Sequence, residues 1–152
     1  MNLDDFSDGP MSFVDRIRQM NETFKLPNNY VPTSQGNDRL DDFFTVLTDE
    51  LGEMSDIDCD DPNHMVEVAD VLGDIIVYCF SEARRWGIPM LPVLHAIMDS
   101  QDSKLVDGKP LMAEDGSKFI KGPNYEPPEG RIAGILTHNG WRNDSDNDNH
   151  SY

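Results

Sequence analysis

Apolar residues recur at helical spacing in four stretches of this chain. Phe13, Ile17, Met20 and Phe24 share one face of a helix predicted over about 11–24, with Ser12 placed to cap it. Pro27, Pro32 and Gly36 mark the connector Leu26 to Gly36. A second helix, capped by Asn37 or Asp38, is predicted to run to about Met54. A polar, aspartate-rich loop follows from Asp56 to Asn63. The third helix spans roughly Pro62 to Trp86, with Pro62 near its start. It is apolar on most of its circumference, which predicts burial within a bundle or an oligomer. Gly87 stops it, and Pro89 opens a fourth helix to about Ser103 carrying Met90, Val93, Leu94, Ile97 and Met98. After Lys104 the periodicity is lost. Val106 to Pro110 and Glu114 to Ser117 are turn signals around short extended pieces, and Lys121 to Pro128 reads as an ordered loop or extended arm. The predicted fold is all-α, four helices with a short extended or hairpin C-terminal arm. One domain is assigned to 1–142, with a loose acidic lead-in over 1–10, and a disordered acidic tail to 143–152.

Composition narrows the function classes. The 152 residues make one domain's worth of chain, and the net charge is −17. Such a balance argues against nucleic acid as a partner, and an anionic substrate needs a metal or clustered cations to approach. Two cysteines, Cys59 and Cys79, form neither a disulfide framework nor a metal-like spacing, which suits a reducing, cytoplasmic setting (the host cytoplasm for a viral protein). No apolar stretch is long enough to span a bilayer, so no membrane partner is expected, and the N-terminus lacks the pattern of a signal peptide. Gly52 and Gly73 are isolated within helices, and no phosphate-cradling glycine loop is present.

The chemistry is concentrated in five carboxylates. Glu67, Asp70 and Asp74 follow i, i+3, i+7 spacing on the third helix, within an arc of roughly 60° at about 100° per residue. Glu50 and Glu53 are an i, i+3 pair on the second, with Glu50 on the side of Phe43, Val46, Leu47 and Met54. Solvated helix faces are the usual setting of Glu and Asp, but such faces carry lysine or serine beside them. Here the neighbours are Val66, Val71, Ile75 and Tyr78. Ionised carboxylates buried together need a cation between them, and a hard divalent ion such as Mg²⁺, or Mn²⁺ in its place, takes oxygen ligands. Glu50, Glu53, Glu67 and Asp70 are the predicted ligands, with Asp74 a further ligand or a group that orients one.

Glu50-Leu51-Gly52-Glu53, a thirteen-residue gap, then Glu67-Val68-Ala69-Asp70 resembles the E-x-x-E…E-x-x-D motif of the MazG-like all-α nucleoside triphosphate pyrophosphatases, and Asp70-Val71-Leu72-Gly73-Asp74 its continuation. The likeness spans about residues 37–128. It implies a four-helix MazG-like bundle, assembly as a homodimer or homotetramer, and Mg²⁺-dependent cleavage between the α- and β-phosphates of a (d)NTP. Glu50 and Glu53 would then orient or activate the attacking water. Ser103-Lys104-Leu105 and Lys121-Gly122-Pro123-Asn124-Tyr125 resemble segments of the phage MazG-like branch and of phosphoribosyl-ATP pyrophosphohydrolases, where lysines meet substrate phosphates. Those relatives carry asparagine three residues before the lysine; this chain has Gln101.

Four of the five lysines, Lys104, Lys109, Lys118 and Lys121, lie between 104 and 121. Lys109 and Lys118 sit beside turns and read as solubilising; Lys104 and Lys121 are the candidate phosphate contacts. With Gln101, Asp102, Asn124 and Tyr125 they make up the predicted substrate-binding set. The phage-like C-terminal half brings in the MazZ enzymes, which convert dGTP to dGMP, and makes (d)GTP the favoured substrate. Asp99 or Asp102 would accept from the guanine N1 and N2 hydrogens. General dNTP house-cleaning and phosphoribosyl-ATP hydrolysis are the alternatives. A reading of another class is an acidic DNA mimic, which needs its carboxylates on the outside.

Overall fold

A computed structural model describes residues 11–142. They form five helices, α1 (Phe13–Thr23), α2 (Asn37–Ser55), α3 (His64–Trp86), α4 (Met90–Asp102) and α5 (Glu129–His138), and one short hairpin of β1 (Leu111–Met112) and β2 (Phe119–Ile120). The protein is mostly helical, as the periodicity predicts. The lead-in over 1–10 and the tail over 143–152 lie outside the described residues. The chain divides into two compact units, one ending at Ile88 and the other starting at Pro89.

In the first unit α3 packs against both α1 and α2. Ser12 caps α1 as predicted, its hydroxyl accepting from the Asp15 amide at 3.2 Å. Ile17, Val71 and Ala83 are the buried apolar centre, and Phe13 meets Phe80 edge-to-face at 5.1 Å. Asn21 is fully buried; its Nδ2 donates to the carbonyls of Pro27 and Ser81, and its Oδ1 accepts from the Ser81 hydroxyl at 2.7 Å. Arg39 of α2 joins Glu82 of α3 through Nε to Oε1 at 3.0 Å and Nη2 to Oε2 at 2.6 Å. Two boundaries differ from expectation. Gly36, at φ +85°, precedes α2 with no side-chain cap, so neither Asn37 nor Asp38 caps it. The helix α3 begins at His64, because the Asp58–Asp61 and Asp61–His64 turns occupy the residues before it.

The C-terminus of α3 is fully satisfied. The last four carbonyls of a helix lack intrahelical donors. Gly87, at φ +70°, lets Ile88 N donate to Ala83 O at 2.8 Å and Gly87 N to Arg84 O at 3.2 Å, a Schellman closure. The α1–α2 connector supplies the rest. Asn29 N reaches Arg84 O, Asn29 Nδ2 reaches Arg85 O, and Thr33 N reaches Trp86 O. A Cβ at residue 87 would stand 2.1 Å from Val31 O, so the close approach requires glycine.

The expectation that α3 is buried on most sides does not hold within one chain. Val66 is 69% exposed, and Met65, Leu72 and Ile76 are also exposed, as are Leu40, Phe44 and Leu51 on α2.

In the second unit α4 packs against α5, and the hairpin pairs Leu111 with Ile120 and Met112 with Phe119. Asp107 (φ +50°) and Gly108 (φ +73°) make the tight turn within the Val106–Lys109 bridge. The arm 121–128 is ordered: Ser100 Oγ donates to Glu126 O at 2.7 Å, and Glu126 N donates to Ser103 Oγ at 2.9 Å. Helix α5 is absent from the sequence expectation, which has four helices. Pro127 and Pro128 precede it, and Gly130 and Gly134 dilute its apolar pattern.

Candidate functional site

Two helices carry the predicted metal ligands and α2 packs on α3. A cleft of about 290 Å³ opens there, lined by Glu53, Asp56, Ile57, Glu67, Asp70 and Val71. Three of the five predicted ligands therefore share one concavity. The other two lie beside it. Glu50 is only 7% exposed, and its Oε2 is buried with no hydrogen-bond partner. Its carboxyl is held above the ordinary range, first by burial, then by the negative charges of Glu53, Asp74 and Asp70; the Tyr78 hydroxyl acts in the opposite direction. The Tyr78 phenol is raised in turn by burial and by Glu50 and Asp74.

This arrangement corrects one expectation. Only Glu50 is buried; Asp74 is half-buried, and Glu53, Glu67 and Asp70 are exposed. Among the described residues, no three carboxylate, imidazole or thiolate groups are gathered around a single point as a closed metal site. Like charges with no cation between them repel, so open spacing is the favoured state of the bare cluster. The donor chemistry nonetheless suits a hard divalent cation. Every candidate ligand is a carboxylate, and the orphaned Glu50 oxygen is a buried acceptor awaiting a positive partner.

Sequence reasoning missed Asp56 and Ile57 at the cleft and took Tyr78 only as a core or interface neighbour of the carboxylates. Tyr78 follows Asp74 by four residues and Asp70 by eight, so the helical repeat that groups the carboxylates also brings the phenol to their side. Asp56 lies one residue past α2, where periodicity carries no signal.

The second unit groups the predicted substrate contacts. Lys104 O accepts from Gly122 N at 3.3 Å, which sets Lys104 beside the Lys121–Tyr125 segment. A Cβ at residue 122 would meet Val106 Cγ2 at 2.7 Å and Lys104 O at 2.9 Å, so this contact depends on glycine. Lys104 Nζ donates to Gln101 Oε1 at 2.7 Å, and Lys121 Nζ lies over the Tyr125 ring at 4.4 Å. Asn124 and Asp102 are exposed. Asp99 is taken by Arg131, whose Nη1 stands 2.6 Å from Oδ2, so that carboxylate already has a cationic partner. A second cavity, of about 190 Å³, is lined by Gln101, Lys104, Leu105, Pro110, Leu111, Phe119 and Ile120. Among the described residues, no helix is long and apolar enough to cross a membrane. No family model matches this chain, and no curated protein matches it in sequence.

Proposed function

We propose that the protein is a metal-dependent nucleoside triphosphate pyrophosphohydrolase, (d)NTP + H₂O → (d)NMP + diphosphate. The observation that carries this reading is the buried Glu50 carboxylate, one of whose oxygens has no partner, beside Glu53, Asp70 and Asp74 at a cleft that Glu67 also lines. Glu50, Glu53, Glu67, Asp70 and Asp74 would hold Mg²⁺, or Mn²⁺ in its place. When bound, such an ion neutralises charge on phosphate oxygens and on the leaving diphosphate.

The chain's own groups supply the rest. Glu50 or Glu53 accepts a proton from the attacking water as its oxygen bonds to the α-phosphorus and the bond to the bridging oxygen breaks. The raised proton affinity of Glu50 suits that role. Lys121 and Lys104 bring positive charge to a chain of net charge −17. Asn124, Tyr125, Gln101 and Asp102 are the neighbouring groups available to sugar and base. The favoured substrate is (d)GTP, as in the phage MazZ-like branch; general dNTP house-cleaning and phosphoribosyl-ATP hydrolysis are the alternatives within the same chemistry.

A homo-oligomer belongs to this reading. Exposed Leu40, Phe44, Met65, Leu72 and Ile76 on α2 and α3 support a second copy as their cover. The exposure of Glu53, Glu67 and Asp70 favours a second reading, an acidic DNA mimic. A panel of nucleoside triphosphates with Mg²⁺, scored for diphosphate against phosphate release, tests the proposal. Diphosphate release supports it. Absence of turnover with every triphosphate, together with capture of a DNA-binding protein in competition with duplex DNA, favours the mimic.

A further inference from the structure

We propose that Arg39 is a positioning residue for the carboxylate site: its fork on Glu82 sets the register of α2 against α3 that brings Glu50 and Glu53 opposite Asp70 and Glu67. The proposal rests on those carboxylates holding a divalent cation.

The register can be counted from the ion pair. Arg39 stands near the start of α2 and Glu82 near the end of α3, while Glu53 and Glu67, at the other ends, line one cleft. The two helices therefore run antiparallel. Arg39 Nε and Nη2 meet Glu82 Oε1 and Oε2 at 3.0 and 2.6 Å, which sets these two residues level. Glu50 follows Arg39 by eleven residues, and Val71 precedes Glu82 by eleven. At 3.6 residues per turn that is about three turns on each helix, so each span returns to its starting face about 16 Å further along. Glu50 thus comes level with Val71, next to Asp70 and one turn from Asp74. Glu53 comes level with Val68, between Glu67 and Asp70. The cleft agrees, because Glu53, Glu67, Asp70 and Val71 all line it. A slip of one turn, about 5.4 Å, would set Glu50 level with Val68 or Ile75 instead. Mg²⁺ takes its oxygen ligands at about 2.0–2.1 Å, a tolerance far smaller than that slip.

Little else on α2 fixes this register. Glu50 is its one buried residue, and Phe43, Val46 and Leu47 are half-buried. Apolar contact is non-directional, so such side chains can slide along α3 at low cost. The carboxylates repel one another before a cation binds, which pushes the seam apart. The fork is directional, and Trp86 Nε1, 2.7 Å from Glu82 Oε1, holds the acceptor it needs. Fixing register is a documented use of buried ionic and polar groups.

Mn²⁺ binding to the metal-free full chain, read from the loss of the free-ion electron paramagnetic resonance signal, tests this without turnover. Arg39→Met should weaken binding at least about tenfold while the helical circular dichroism is retained. The sign separates the alternatives. If Arg39 acted only through its charge, removing a cation from the seam would tighten Mn²⁺ binding. If it only stabilised the fold, Ile17→Ala would weaken binding as much; Ile17 is buried on α1, which carries none of the five carboxylates. Ile17→Ala is expected to lower Tm and to bind Mn²⁺ as the native chain does. Arg39→Lys keeps the charge without the fork and should also bind Mn²⁺ more weakly than native, which carries the test if Arg39→Met does not fold. Unchanged or tighter binding in the Arg39 variants, or equal weakening by Ile17→Ala, overturns the positioning role. If the native chain releases diphosphate and Arg39→Met binds Mn²⁺ as native does, the positioning role falls and the hydrolase stands. If Mn²⁺ binding weakens with Arg39→Met but no triphosphate yields diphosphate, the positioning role stands and the hydrolase falls. A native chain that binds no Mn²⁺ overturns both.

Discussion

Replacing Arg39 by methionine should loosen α2 from α3, the pair of helices that carries the carboxylate cleft. The Glu82 side chain is 9% exposed and Arg39 24%. Arg39→Met removes the direct Nε–Oε1 and Nη2–Oε2 hydrogen bonds and leaves the carboxylate with Trp86 Nε1 at 2.7 Å and the more distant Arg85 at 3.6 Å. Removing one partner of a buried ion pair costs about 3–5 kcal/mol; partial exposure of Arg39 and the surviving partners bring the expected loss to about 2–3 kcal/mol. For a chain of this size that is a fall in Tm of about 5–10 °C. Urea unfolding should show a lower midpoint at an unchanged slope. The pH dependence carries a sign. Arg39 and Trp86 hold Glu82 below the ordinary carboxyl range despite its burial. Its stabilisation is therefore complete above the unfolded value of about 4.3 and is lost as pH falls through the lower folded value. The gap between native and variant should be constant from neutral pH to about 5 and close below that. Adding Glu82→Gln, which keeps an acceptor for Trp86, should cost less than the sum of the single changes by about 1 kcal/mol or more. A single variant within about 0.5 kcal/mol of native, or strict additivity, would refute the reasoning.

Glu50→Gln should reduce hydrolysis at least about a hundredfold. Because folding raises the Glu50 carboxyl, its ionisation opposes the metal-free fold as pH rises through that folded value, so the same variant should raise Tm at pH 8 and match native under acid conditions; unchanged turnover and an unchanged Tm would remove Glu50 from the site. Mg²⁺ at millimolar concentration should raise Tm more at pH 8 than at pH 5, since protons compete for the same oxygens; a shift independent of pH would place the ion elsewhere. Lys121→Ala should raise KM about tenfold with little change in kcat, and unchanged steady-state kinetics would return the lysine to ordinary surface. Light scattering over a dilution series should report a dimer or larger, and an active monomer at all concentrations would show that the apolar faces of α2 and α3 need no second copy.

Long, strongly periodic segments were legible in the sequence and their margins less so. The stops of α1, α3 and α4 follow local chemistry, above all Gly87, whose left-handed conformation ends α3 where glycine marks it. Helix α5 was not legible, because two prolines and two helix-weakening glycines fall within eight residues. The spacing of Glu67, Asp70 and Asp74 put them on one side of α3, and the cleft agrees for Glu67 and Asp70. Exposure was read less well. Apolar neighbours such as Val66 suggested burial, yet a helix pattern marks which residues want cover and is silent on whether the same chain provides it. The engagement of Asp99 by Arg131 joins positions 32 residues apart, a pairing no local pattern encodes.

Helix ends are where amide exchange with solvent ordinarily begins, because their last turns open at little cost. The C-terminal turn of α3 is built otherwise. Opening it means giving up the Asn29 and Thr33 contacts as well as its own closure, so the connector and the turn must be released together. The amides of Asn29, Thr33, Gly87 and Ile88 should therefore exchange as one cooperative block in deuterium labelling, and α3 is expected to open from His64 toward Trp86 instead of inward from both ends.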